Sequence, residues 1–315
     1  MKEIGGYFGL ETFTGREYHE GLLALNNGRN ALLYLLKARR IRKLYLPRFL
    51  CDSVSNLCDR YGYAYEYYSI DREFMPVFSK ELGEDEYLYV VNFYGQLSNE
   101  TAVQLKACYG NIIFDNIHAF FQKPVEGIDT IYSCRKFFGV PDGGYLATDA
   151  VLEEELRLDV SKDRMRHILG RFEGSASDYH GDFKANDHAF KGLELRRMSE
   201  LTHNLLRAVD YEAARQKRNE NYGLLEAALG ERNGLKLSIP DGPYAYPFYC
   251  ENGMALKKKL AEKKIFVATL WPNVLENGNE LEKAYTENIL PLPCDQRYGA
   301  EDMQRIIIEI SCLMD

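Results

Sequence analysis

Between Lys43 and Thr148, short apolar runs of strand type alternate with stretches of helical periodicity. No other feature constrains the fold as strongly. The runs Lys43–Pro47, Tyr63–Ile70, Tyr87–Tyr94, Ile112–Asp115, Thr130–Cys134 and Tyr145–Thr148 read as strands. Asn30–Arg39, Asp52–Arg60 and Asn99–Cys108 read as helices, the last starting at an N-cap Ser98 and stopping near Gly110. Strands that are apolar throughout are buried on both faces, and the helices between them supply the crossovers. The predicted architecture is therefore α/β: a mostly parallel central sheet with helices on both faces. After Thr148 the pattern changes. Residues 150–230 read as mostly helical, with a long polar-rich run from Arg196 to Leu229, and residues 170–190 read as a loop. From Pro240 a smaller α/β unit follows, with strands Tyr246–Cys250, Ile265–Thr269 and Ile289–Leu292 and helices Gly253–Lys263 and Glu301–Leu313. The expected division is a large domain over residues 1–215 and a small C-terminal domain over 216–315.

Composition then excludes several classes of function. The net charge is −8, from 39 Lys plus Arg against 47 Asp plus Glu, which argues against a protein built to hold the phosphate backbone of nucleic acids. No run of 18 apolar residues is present to span a membrane, and the opening Met1–Tyr7 lacks the apolar stretch of a secretory signal. Seven scattered cysteines form no C-x-x-C pair, so neither a disulfide framework nor a metal site is expected. A reducing cytoplasm is the expected home.

In open parallel sheets, ligands bind outside the carboxyl ends of the strands, so the polar residues there are the ones to inspect. Asn27-Gly28-Arg29-Asn30 precedes an apolar helix. Glycine permits close backbone approach, first-turn N–H groups favour an anion, and Arg29 adds a fixed positive charge, which suits a phosphate. The same segment also reads as a plain helix start with an asparagine cap. Asp115 closes the strand Ile112–Asp115, with His118 three residues on and Phe120 and Phe121 beyond. The carboxylate could hold a proton on a heterocyclic nitrogen, or Asp115 could be a helix cap and His118 a satisfied core histidine. Lys136, in Ser133-Cys134-Arg135-Lys136-Phe137-Phe138, lies just past a strand among aromatics. An apolar pocket would favour the neutral amine that forms a Schiff base, and the alternative has Arg135 and Lys136 pointing into solvent. Ser133 either donates to a phosphate or ends its strand. Asp142-Gly143-Gly144 is a tight turn after the lysine.

The order of these segments resembles that of fold-type I pyridoxal 5′-phosphate (PLP) enzymes, and more narrowly the DegT/DnrJ/EryC1/StrS sugar aminotransferase family. Asn27 through Leu32 stands where the family has its Ser-Gly-Thr-x-Ala-Leu phosphate turn, and Tyr94-Gly95-Gln96 matches its Tyr-Gly-Gln. Phe114 through Ala119 resembles Glu-Asp-x-Ala-His/Gln-Ala; Ser133, Lys136 and Gly143-Gly144 resemble the family's serine, Schiff-base lysine and double glycine. Arg197 through Leu201 resembles its Arg-Met-Ser/Thr-Glu-Leu helix start, and Leu292-Pro293-Cys294 its small-domain finish.

The resemblance implies an aminotransferase with Lys136, Asp115 and His118 as catalytic residues. Asp115 would pair with the pyridine nitrogen, and His118 would lie near the phenolic oxygen or brace Asp115. Gly28, Arg29, Asn30 and Ser133 would anchor the phosphate. It further implies glutamate or glutamine as amino donor, a nucleotide-linked keto sugar as acceptor in glycan or polysaccharide synthesis, and a homodimer with active sites between subunits.

Several positions depart from the family. Arg29 replaces a small hydroxyl residue, and only two residues separate Ser133 from Lys136. Cys51 holds the place of the ring-stacking aromatic, with Phe49 as a substitute nearby. Leu195 replaces the asparagine that reaches the partner's phosphate, with Asn186 as a candidate replacement. Two other classes stand beside this reading: another PLP enzyme of the same fold, a dehydratase or lyase, and a non-catalytic regulatory member. The family's dehydratases carry histidine where this chain has Lys136.

Overall fold

The structure is a computed structural model that describes residues 4–314. Of the opening stretch read above for a secretory signal, residues 1–3 lie outside the described residues. In chain order the first half comprises β1 (Leu23–Leu25), α1 (Gly28–Ala38), β2 (Lys43–Pro47), α2 (Asp52–Tyr61), β3 (Ala64–Ile70), β4 (Pro76–Val77), β5 (Glu86–Val91), α3 (Asn99–Tyr109), β6 (Ile112–Asp115), β7 (Asp129–Ser133) and β8 (Gly144–Ala147). These eight strands form one sheet in the order β1-β8-β7-β6-β5-β2-β3-β4. The five strands from β7 to β3 run parallel; β8 and β4 run against them, and β1, antiparallel to β8, runs with them. The chain moves outward from β2 to β3 and then returns across β2 to β5, which puts the topological switch between β2 and β5. Register sets Asp115 level with Val91 on one side and Ile131 on the other, at the carboxyl ends of the central strands.

Local chemistry accounts for most of these boundaries. Asn27 caps α1 by accepting from the Asn30 N–H at 2.8 Å, and Ser98 caps α3 through the Thr101 N–H at 3.2 Å. The apolar face of α1 is wholly buried, with Ala31, Leu32 and Leu35 at 0 % exposure, and each such leucine contributes about 1.5–3 kcal/mol on burial.

The second half comprises α4 (Arg166–Glu173), α5 (His180–Ala189), α6 (Glu200–Arg207), α7 (Tyr211–Leu229), β9 (Tyr246–Tyr249), α8 (Gly253–Glu262), α9 (Val274–Asn277), α10 (Glu280–Asn288), β10 (Ile289–Leu292) and α11 (Ala300–Met314). β9 and β10 pair antiparallel, and their core joins Tyr222, Leu260, Leu290 and Ile310. Trp271 and Tyr285 instead belong to the core of the large sheet, so the carboxyl-terminal segment is packed onto it.

Four expectations need correction. Residues 170–190 are mainly the helices α4 and α5, not a loop. Residues 265–269 pair with no strand and run as irregular chain, with the Ile265 N–H turned back to the Leu260 carbonyl at 2.9 Å. The run Arg196–Leu229 is broken into α6 and α7, with Asp210 capping the second through the Ala213 N–H at 2.9 Å. The strand expected to reach Tyr94 stops at Val91, and Phe93–Gly95 forms a single helical turn with Tyr94 at φ 54°.

One contact locks the lysine loop to the start of α1. Gly143, at φ +111°, donates its N–H to the Asn26 carbonyl at 2.8 Å and accepts from the Cys134 N–H at 3.1 Å. At Gly144, a Cβ would stand 2.8 Å from the Asn27 carbonyl carbon and 2.9 Å from the Gly28 nitrogen, both backbone atoms that cannot yield. We therefore predict that Gly144→Ala destabilises the fold by about 1–3 kcal/mol. Gly223→Ala on α7, where a Cβ meets nothing within 4 Å, should be neutral or stabilising by up to about 1 kcal/mol. Urea unfolding of the two variants tests the pair, and equal effects would show that the crossing is not sterically tight.

Candidate active site

Asp115 is 2 % exposed. Its Oδ2 accepts the Tyr89 hydroxyl at 2.7 Å and its Oδ1 the Ile117 N–H at 2.9 Å. Among the described residues it forms no ion pair. Burial pushes its carboxyl up to about 6, against the pull of those two bonds and of the more distant Lys136 charge. A buried carboxylate held by neutral donors alone is a site waiting for a cation.

His118 and Lys136 meet nearby. Lys136 follows β7 in a short turn, and its Nζ lies 3.4 Å from His118 Nε2. The Tyr94 N–H donates to His118 Nδ1 at 3.4 Å, and burial holds the imidazole well below its ordinary pKa, so the ring is neutral. With Nδ1 accepting, the ring proton sits on Nε2, so the contact to Lys136 Nζ is a hydrogen bond only to the neutral amine. Phe137 and Phe138, expected to wall in the amine, turn away into a core with Phe120, Tyr132 and Tyr145, and Lys136 itself is exposed. The aromatic neighbours of the site come from elsewhere. Tyr244 stacks on His118 at 4.2 Å and 7°, Trp271 lies 5.7 Å from it at 25°, and Lys136 Nζ sits 5.3 Å from the Tyr244 centroid. Tyr94 and Trp271 hold left-handed backbone, at φ 54° and 53°. Such strain costs on the order of 1–3 kcal/mol per residue and clusters at functional sites.

The turn before α1 divides its donors. Asn30 is 2 % exposed, and its side chain donates to Asn26 Oδ1 and to the Glu194 carbonyl, each at 2.7 Å. With its N–H also taken by Asn27, Asn30 braces the turn instead of facing a phosphate. The N–H groups of Gly28 and Arg29 have no acceptor among the described residues, and the buried Nδ2 of Asn27 has none either. Arg29 is half-buried and pairs with no described carboxylate; Ser133, also half-buried, ends β7 with no hydrogen bond from its hydroxyl. Gly28 itself has room for a side chain, since a Cβ there would meet Ile117 and Ile131 at an ordinary 3.5 and 3.7 Å.

Phe49 is 1 % exposed and packs edge-on against Trp271 at 4.5 Å, so it belongs to the core. Cys51 starts α2, with Sγ 2.9 Å from Ser53 Oγ, and carries no ring. His118 forms no hydrogen bond to Asp115; Tyr89 does the bracing. Sequence reasoning did not place Tyr89, Tyr244 or Trp271.

A separate cleft of about 190 Å³ lies beside Glu17, His19, Tyr145 and His203. Glu17 is already bonded there to His203 at 2.8 Å and to Tyr145, so its carboxylate is committed. The uncommitted chemistry is at Asp115 and Lys136.

This sheet, with a lysine turn and a helix start at the carboxyl ends of its strands, is the fold of type I PLP-dependent aminotransferases. No family model matches the chain, and no curated protein matches it in sequence. Solved structures match throughout. A DegT DnrJ EryC1 StrS aminotransferase from Brucella abortus shares 16 % identity over 93 % of this chain and 86 % of its own, with a TM-score of 0.63. NtdA from Bacillus subtilis, with bound cofactor PMP, shares 18 % over 95 % and 77 %, with a TM-score of 0.64. DesI, in the presence of its TDP-sugar product, shares 14 % over 91 % and 79 %, with a TM-score of 0.63.

Asp115 makes stability depend on pH in a direction fixed by its raised pKa. Below about pH 4 the carboxyl is protonated in folded and unfolded chains alike. Between about 4 and 6 only the unfolded chain ionises, so this contribution is lost as pH rises and stays lost above about 6. In cofactor-free protein, Asp115→Asn should remove that fall and raise stability at neutral pH by up to about 3 kcal/mol. Urea unfolding across the pH range reads it; an unchanged slope would assign the fall to other carboxyls.

Proposed function

We propose that this chain is a PLP-dependent aminotransferase that moves an amino group from glutamate or glutamine to a nucleotide-linked keto sugar. The observation that carries the reading is the meeting of a cation-seeking Asp115, the Lys136–His118 pair and unpaired anion donors at one end of the sheet. The residues suit the group at both of its ends: Asp115 lacks a cation, and Asn27 Nδ2 lacks an acceptor. NtdA with PMP and DesI with a TDP-sugar, on the same fold, support the cofactor and the substrate class.

When bound, the cofactor supplies an electron sink for charge developing at the substrate Cα. Asp115, ionised, would keep the ring nitrogen protonated, and Tyr89 would fix the orientation of the carboxylate. Lys136 would attach the cofactor and, once released, carry the proton to and from the substrate Cα. His118 would hold the Lys136 amine in place through Nε2. Gly28, Arg29 and Ser133 would bind the phosphate, with Cys51 on the ring side of the pocket. We further propose a cytoplasmic homodimer, with residues 1–215 as the cofactor-binding unit and 216–315 as the smaller one. The wide exposure of Tyr7, Phe8 and Phe172, each above nine-tenths, supports a partner surface.

Incubation with PLP, borohydride reduction and peptide mapping should place the label on Lys136. Label on another lysine, or none, overturns the reading. Arg29→Ala should weaken PLP affinity by about 1.5–3 kcal/mol, the scale of a hydrogen bond to a charged group. Binding of unphosphorylated pyridoxal should barely change; equal loss for both forms would assign Arg29 to the fold or the substrate.

A further inference from the structure

The side-chain amide of Asn186, on α5, is the least explained polar group in the molecule. The residue is 7 % exposed, and both its Nδ2 and its Oδ1 are buried without a hydrogen-bond partner among the described residues. Native structures rarely leave such a group unpaired without reason. Its neighbours on the helix identify the environment. The next residue, Asp187, stands 3.8 Å from Arg135 Nη1, and Phe190, one turn on, carries the Arg135 guanidinium at 3.9 Å from its ring centroid. Arg135 itself lies between Ser133 and Lys136 in sequence, and its side chain is only 17 % exposed.

The Arg135 charge is poorly compensated. Its one ion-pair contact among the described residues is at the outer limit of an ion pair, with an Asp187 side chain that is itself more than half exposed. Burial, together with the like charges of Arg29 and Arg164, lowers its pKa to about 10. Arg164, by contrast, is neutralised by Asp159 at 2.7 Å. The under-compensated cations are thus Arg29, at the first turn of α1, and Arg135, whose neighbour Cys134 bonds Gly143, itself bonded to Asn26 ahead of that helix. Two guanidiniums, an unpaired amide and the free N–H groups of a helix start are what a phosphate dianion binds.

We infer that Arg135 and Asn186 complete the phosphate-holding end of the site in their own chain. This rests on the PLP reading above and extends it to residues that reading does not use. The bidentate guanidinium fork of Arg135 would take two phosphate oxygens, and Asn186 Nδ2 a third.

The test compares affinities for PLP and pyridoxal in wild type, Asn186→Ala and Arg135→Gln, with far-UV circular dichroism as a check on folding. Each variant should reduce the preference for the phosphorylated form at least fivefold and leave pyridoxal affinity unchanged. Arg135→Lys, which keeps charge but not the fork, should fall between. The two positions vary independently, so one misfolded variant leaves the other to decide. An unchanged preference in a folded variant overturns the inference. Weakened binding of thymidine diphosphate with preference for PLP intact also overturns it, assigning the cluster to a substrate diphosphate. Mixing Asn186→Ala chains with Lys136→Ala chains separates own-chain from partner action. The label trapped by borohydride on the Asn186→Ala chain should stay low in the mixture, and recovery to the wild-type level would place Asn186 in the partner's site. A wild-type chain that binds neither form overturns this inference and the PLP reading together; one that binds PLP while its variants behave like it overturns the inference alone.

Discussion

The site depends on two stretches of backbone being allowed to touch. At Gly143-Gly144 the chain leaving the lysine turn passes against Asn27 and Gly28 with no room for a side chain, and Gly143 is bonded to both Asn26 and Cys134. That crossing ties the end of β7, where Lys136 emerges, to the first turn of α1. Through the β6–β7 register the same end of the sheet carries Asp115. A carboxylate, an amine and a helix start come together without any direct bond among them because the sheet holds all three.

The lysine turn was expected to create an apolar pocket of its own, but the structure uses its phenylalanines as core. The burial they supply secures the turn, while the rings near the amine arrive from the carboxyl-terminal segment, Tyr244 before β9 and Trp271 before α9. Attachment of that segment to the large sheet is therefore coupled to the surroundings of His118. The left-handed backbone at Tyr94 and Trp271 is held on either side of that join.

What the sequence made legible follows from how local each signal was. β2 and β6 were readable to the residue because a continuous apolar run has only one good home in a parallel sheet. The start of α3 was readable because Ser98 caps its own helix. The position of Asp115 at the end of β6, of Lys136 just past β7 and of the double glycine in a tight turn was readable from the strands they follow. Residues 170–190 misled because their glycines and serines imitate a loop. In fact Gly170 is small so that the Tyr179 ring can lie on α4, where a Cβ would come within 2.3 Å of it. The stretch 265–269 has strand chemistry but follows directly on α8, with the Ile265 N–H bonded back to the Leu260 carbonyl instead of to a strand. Tyr244 and Trp271 were out of reach, since nothing within 100 residues of either announces a contact with His118. The Asn279–Glu282 capping box that starts α10 was visible in the sequence and was missed.

Trp271 has a practical consequence. It is the only tryptophan in the chain and is 7 % exposed, within 5.7 Å of His118 and edge-on to Phe49. The whole indole emission of the protein therefore originates at the seam between the carboxyl-terminal segment and the large sheet. The molecule carries its own optical probe, and its colour and quenching report how tightly that seam is shut.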